Sequence, residues 1–134
     1  MRICRAIIIV LMLSSIEIYA AKIVDTKDPT YKSWLYYKNA SNEFNNGNYE
    51  KALTDAQRSN MFRPNKKSRK LVQQLREIGY SKVKTGTALI NFNPVLAKEY
   101  LTKAKMLIEP KDKKTMAQID DALESLEAVN TNSN

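Results

Sequence analysis

Beyond residue 21, the apolar residues of this chain recur three and four positions apart, the spacing of one helical face. No alternating run of strand type extends over four or more residues there. The pattern predicts an all-α chain of about five helices. Leu35 or Tyr36, then Ala40 and Phe44, mark a first helix that ends at Asn45 and begins at Pro29, with Asp28 as its N-cap, or at Ser33. A second helix starts near Tyr49 and carries Ala52, Leu53, Ala56, Ser59 and Asn60. It stops at Phe62-Arg63-Pro64, because proline pushes its predecessor out of helical geometry. A third begins around Lys66 to Ser68 and continues to about Ile90 through Leu71, Val72, Leu75, Ile78, Val83, Ala88 and Leu89. Asn93-Pro94 is a cap and first-turn signal for a fourth, whose apolar side is Val95, Leu96, Ala97, Tyr100, Leu101, Ala104, Leu107 and Ile108. Glu109-Pro110 ends it. Asp112 or Thr115 then caps a fifth helix with a narrow stripe of Met116, Ile119, Leu123 and Leu126.

Glycine punctuates this series. Asn45-Asn46-Gly47-Asn48 reads as a turn in which Gly47 takes positive φ. Gly79 and Gly86 fall inside the third helix, where they mark either a kink or a close approach of the first or the fourth helix.

The first residues follow another logic. Arg2 and Arg5 precede the unbroken apolar run Ala6 to Leu13, and the small pair Ala20-Ala21 follows, which is the layout of a secretory signal peptide. Glu17 interrupts the stretch well short of the roughly 20 apolar residues that span a bilayer. The expectation is therefore export, with residues 1–21 removed, a polar leader over 22–32, a helical domain over 33–129 and a disordered tail over 130–134. The single cysteine, Cys4, lies inside the signal, so the mature chain would form no disulfide. That leans toward a bacterial exported protein, periplasmic or on the cell surface, with no stable membrane span after cleavage.

The segment Gly47-Asn48-Tyr49-Glu50-Lys51-Ala52, ending in Arg63-Pro64-Asn65, resembles the second half of a tetratricopeptide repeat. In that family a G-x-Y-x-x-A pattern opens helix B and a proline closes the unit. Upstream, Tyr36 matches the large aromatic position of helix A and Ala40 its small crossing position. Ser59 stands at the small position late in helix B, whereas Glu43 replaces a usual aromatic beside Phe44. The good unit covers about 33–66. A degraded, lengthened unit covers about 67–110, with Ala97, Leu101 and Ala104 repeating the spacing of Ala52, Ala56 and Ser59, and the excess length falling in the third helix. The resemblance implies right-handed helical hairpin repeats closed by the fifth helix as a cap. The outer face of that cap would carry Asp120, Asp121, Glu124 and Glu127 in solvent.

The family's members are binding scaffolds whose concave surface, lined mainly by A helices, takes a peptide or protein segment. By position, the resemblance makes Trp34, Tyr37, Ser41, Phe44 and Asn45 the groove-facing residues of the first unit. The alternative is that Trp34, Tyr37 and Phe44 are core residues of an N-terminal hairpin.

Charge sharpens this picture. The chain has 22 Lys and Arg against 14 Asp and Glu. The excess is concentrated between Arg58 and Lys84, where Glu77 is the one acidic residue, while the fifth helix and tail are acidic. Arg63, Lys66, Lys67, Arg69 and Lys70 form a basic patch suited to anionic lipid, polysaccharide or an acidic protein. The bland alternative is a solvated loop whose lysines aid solubility. Export makes nucleic acid an ill-fitting partner. Composition then removes most chemistry. With no His, one Cys and three Gly, the 134-residue chain lacks the usual zinc, haem and Cys/His nucleophile sets and any Walker or dinucleotide loop. The sequence reads as a non-enzymatic module without cofactor or metal. Its expected role is an exported scaffold for a protein or peptide partner, the alternative being a peripheral protein that contacts an anionic envelope surface through the basic segment.

Overall fold

The computed structural model describes residues 26–131, with the side chains of 129–131 excepted. The expected signal segment and the last three residues of the expected tail lie outside that range. The chain forms five helices: α1 (Pro29–Asn45), α2 (Tyr49–Phe62), α3 (Lys66–Leu89), α4 (Pro94–Leu107) and α5 (Lys113–Thr131). Of the two starts open for α1, the helix takes Pro29, so residues 29–32 belong to its first turn and not to the leader.

Local chemistry sets each boundary. Asp28 Oδ1 accepts from Thr30 N at 2.8 Å, and Pro29 fits the first turn because its missing N–H would have had no partner there. Gly47, at φ 78°, reverses the chain after α1, with its N–H on Phe44 O at 3.0 Å and the Asn48 N–H on Glu43 O at 2.9 Å. Arg63 is extended ahead of Pro64, which ends α2. Asn65, Asn93 and Asp112 then cap α3, α4 and α5, accepting from Ser68 N, Leu96 N and Thr115 N at 2.8, 3.1 and 3.1 Å. Asp112 is thus the cap of α5.

Successive helices pack antiparallel, and the hairpins α1–α2 and α3–α4 also touch through α1 against α3 and α2 against α4. The fold is all-α with a helical-repeat arrangement. Ala52, Ala56 and Ser59 of α2 and Ala97, Leu101 and Ala104 of α4 are all fully buried, so the repeated spacing marks equivalent faces of the two helices. The partner helices carry small residues seven apart on their buried sides, Ser33 and Ala40 on α1, Gly79 and Gly86 on α3.

At α3 the two glycines permit the close approach of α4. A Cβ at Gly79 would lie 2.8 Å from Leu107 Cβ, and one at Gly86 would lie 2.8 Å from Leu101 Cγ. Two apolar clusters result. The first joins Ala40, Leu53, Ala56, Leu71, Leu75 and Leu107, with Tyr37, Phe44 and Tyr49 against it. The second joins Leu101, Ala104, Ile108, Ile119 and Leu126, with Val83, Leu89, Met116 and Leu123 against it. Full burial of each large aliphatic side chain stabilises the fold by about 1.5–3 kcal/mol. The fifth helix closes the second cluster. Its Asp120, Asp121, Glu124 and Glu127 are exposed, but Asp120 and Glu127 pair with Lys105 and Lys98 of α4 at 2.6 and 3.2 Å, so the acidic side is partly turned back onto its neighbour.

Candidate partner-binding cleft

The α2–α3 connection turns the chain back beside α1, and this brings two separately predicted features together. A cleft of about 400 Å³ is lined by Trp34 and Tyr37 of α1 together with Arg63, Lys66 and Lys67. Trp34 and Tyr37 lie three positions apart and so share one helical face. Trp34 is 53% exposed, while Tyr37 is half-buried, with part of its ring packed on the first apolar cluster. Tyr37 therefore both lines the cleft and packs on the core.

Cations surround these rings. Lys38 Nζ lies 5.3 Å from the Trp34 ring centre and Lys67 Nζ 6.0 Å from that of Tyr37, within the range of attraction between a cation and an aromatic face. Tyr31 extends the aromatic surface, its ring 5.9 Å from Trp34. Arg63 donates from Nη1 to Thr30 Oγ1 at 2.8 Å, leaving other guanidinium hydrogens for a ligand. None of Arg63, Lys66, Lys67, Arg69 and Lys70 forms an ion pair among the described residues.

Ser41 is half-buried on α1 and Asn45 is exposed in its last turn; neither lines the cleft. Phe44 packs on the first cluster, its ring 5.6 Å from Tyr49. Arg69 and Lys70 are exposed on α3 outside the cleft. Tyr36 stacks on Phe62 at 5.5 Å, near-parallel, with Arg58 over its ring. Glu43, where the resemblance leads one to expect an aromatic, accepts from Asn48 Nδ2 at 2.7 Å and pairs with Lys51. The Lys51 ammonium and then the Asn48 amide hold its carboxyl below the ordinary value.

Beneath the cleft lies a buried polar network. Ser59 Oγ donates to Ser33 O at 2.7 Å and accepts from Ser68 Oγ at 2.7 Å. Ser33 Oγ donates to Arg63 O at 3.1 Å, and Asn65 Nδ2 lies 3.2 Å from Ser33 Oγ, Ser59 Oγ and Arg63 O. Each hydroxyl thus has one proton to give and a place to put it. The network ties α1, α2 and α3 at the point where Arg63 leaves helical geometry, and it fixes the backbone that carries Arg63, Lys66 and Lys67. The one signal for it in the sequence was Ser59 at a position expected to be small.

Among the described residues no group of three or more His, Cys, Asp or Glu is placed to hold a metal ion, and no helix is long and apolar enough to cross a membrane. No family model, no curated protein and no solved structure matches the chain.

Proposed function

We propose that this protein is an exported, tetratricopeptide-like scaffold that binds an extended, acidic segment of a protein partner, without catalysis of its own. The observation that carries the reading is the convergence of Trp34 and Tyr37 with Arg63, Lys66 and Lys67 on one cleft, where the cations lack counterions from the described chain. Flat aromatic faces give apolar contact, and guanidinium and ammonium groups pair with carboxylates, a combination suited to an acidic peptide with an apolar anchor. The G-x-Y-x-x-A pattern and closing proline of residues 47–64 support the family resemblance. The signal-like first residues support a setting in the bacterial cell envelope, in the periplasm or at the surface.

The test is fluorescence anisotropy with labelled acidic peptides bearing one aromatic residue, against neutral and basic versions of the same length. Tyr37→Ala and Lys67→Glu each weaken acidic-peptide binding about tenfold or more, whereas Asn45→Ala, away from the cleft, leaves it unchanged. Equal binding by all three variants, or no preference for the acidic peptides, refutes the reading. A second reading rests on Arg69 and Lys70, exposed and without ion pairs outside the cleft. In that case the basic face contacts anionic lipid or polysaccharide. Sedimentation with anionic vesicles decides it, since such binding is lost in Arg69→Ala/Lys70→Ala and at high salt.

A further inference from the structure

A second cavity, of about 860 Å³, opens between α2 and α4 and shares no lining residue with the aromatic cleft. Its wall contains Asp55, which is only 7% exposed. Buried carboxylates are ordinarily satisfied by hydrogen bonds or close cations, because leaving water without such partners is costly. The Asp55 carboxylate accepts no hydrogen bond among the described residues, and its ion pair is a long one, 3.8 Å from Oδ1 to Arg58 Nη1. That guanidinium is half-exposed and also covers the Tyr36 ring. A carboxylate with one long ion pair and no hydrogen bond among the described residues thus borders an open cavity.

The lining of the same cavity also includes a cation. Lys82 of α3 projects over two rings, 4.9 Å from the Tyr100 centre and 5.9 Å from that of Tyr49, and has no ion pair among the described residues. Tyr49 and half-exposed Met106 supply apolar wall to the same cavity. The remaining charged groups narrow the ligand class. Lys51, Arg58, Lys82 and Lys103 outnumber Asp55 and Glu50 in the lining, so a polyamine is repelled and a carboxylate on the ligand is favoured, while Asp55 offers a place for a single ammonium. A ligand with one ammonium and one carboxylate satisfies both ends. The volume falls in the range that holds drug-sized ligands, roughly 300–1,000 Å³, which suits a di- or tripeptide better than a single amino acid.

We propose that this cavity binds a short zwitterionic peptide, its free N-terminal ammonium on Asp55, its C-terminal carboxylate on Lys82, and an apolar side chain against Tyr49 and Met106. The site is independent of the acidic-peptide cleft, and each stands or falls without the other.

The probe is the dipeptide Leu-Ala, titrated calorimetrically into the protein beside N-acetyl-Leu-Ala and Leu-Ala amide. Leu-Ala binds saturably, and capping either end weakens binding about tenfold or more, the effect of removing one charge-assisted contact. Asp55→Asn weakens Leu-Ala to the same degree but leaves the acetylated ligand unaffected, and Lys82→Gln does the same with respect to the amide. Helical circular dichroism checks the fold of both variants, and the capped ligands test the site on the unaltered protein. Absence of saturable Leu-Ala binding, or equal affinity for capped and uncapped dipeptides, overturns the proposal. So does an Asp55→Asn variant that folds and binds Leu-Ala as tightly as the parent.

Discussion

Gly79→Ala tests the packing of α3 on α4 where it is tightest. The new Cβ would stand 2.8 Å from Leu107 Cβ, 3.3 Å from the Leu107 carbonyl carbon and 3.2 Å from Ile108 Cδ1. Carbon atoms pack best about 3.5–4.0 Å apart, and Leu107 Cβ is fixed to the α4 backbone, so no rotamer change relieves the contact and the helices must part. Overpacking of this kind costs about 1–3 kcal/mol, while alanine returns about 1 kcal/mol through its better helix propensity. With the clash set against backbone, the upper part of that range applies, and the net loss is about 1–2 kcal/mol. In a domain of this size that lowers Tm by about 5–10 °C.

Gly86→Ala is the internal comparison. There the close atoms are Leu101 Cγ and Cδ2, at 2.8 and 3.0 Å, and Tyr100 Cβ at 3.2 Å. The Leu101 contacts lie farther out on a side chain that can rotate, so the loss is smaller, at most about 1 kcal/mol. Thermal and urea unfolding followed by circular dichroism give both values. A Gly79→Ala protein as stable as the parent, or a reversed order of the two variants, refutes the argument that these glycines exist to admit α4.

Ser59→Ala removes the centre of the buried network, leaving Ser33 O and the Ser68 hydroxyl without that partner. Urea unfolding should show a loss of about 1–3 kcal/mol, and a change under half a kcal/mol counts against the network's role. The Tyr80 hydroxyl donates to Asp112 Oδ2 at 2.8 Å, and that bond, then burial, raises the phenol above its ordinary value of 10.0. This contribution is present below pH 10.0 and is lost as pH rises through the folded value, so Tyr80→Phe flattens the alkaline limb of Tm against pH. The Asp112 carboxyl is held below its ordinary 3.8, first by the Thr115 backbone N–H, then by the Thr115 hydroxyl and Tyr80. Its contribution is present above 3.8 and lost as pH falls through the folded value, so Tyr80→Phe keeps most of the acid limb while Asp112→Asn flattens it.

The helices were legible because their boundaries are written locally. Asp28-Pro29, Gly47, Arg63-Pro64 and Asn93-Pro94 each act within a few residues, and the structure uses all four. Gly79 and Gly86 were legible only as an ambiguity. A glycine inside a helix reads the same for a bend as for a close neighbour, and what decides between them is Leu101 and Leu107 on the following helix. The cleft was readable in halves. Trp34 and Tyr37 were suggested by the family resemblance and the basic residues by the local charge excess, but their meeting depends on the path of the chain through residues 63–65. Ser59 falls on the spacing of Ala52 and Ala56, but Ser33 and Ser68 look like ordinary surface positions of polar helices. The burial of those two depends on three helices at once, and no periodicity within their own helices records it.

The length of α3 has a consequence for how the molecule comes apart. Leu71 and Leu75 belong to the first cluster, Val83 and Leu89 pack on the second, and Leu107 of α4 reaches back into the first. In a regular array each repeat meets its neighbour at an interface, and units can fray one at a time from the ends. Here a single uninterrupted helix is the wall of both halves, so there is no seam along which the two hairpins could separate. The length of this helix makes the two halves indivisible, a rigid strut that carries the aromatic cleft near its start and part of the α2–α4 cavity farther along.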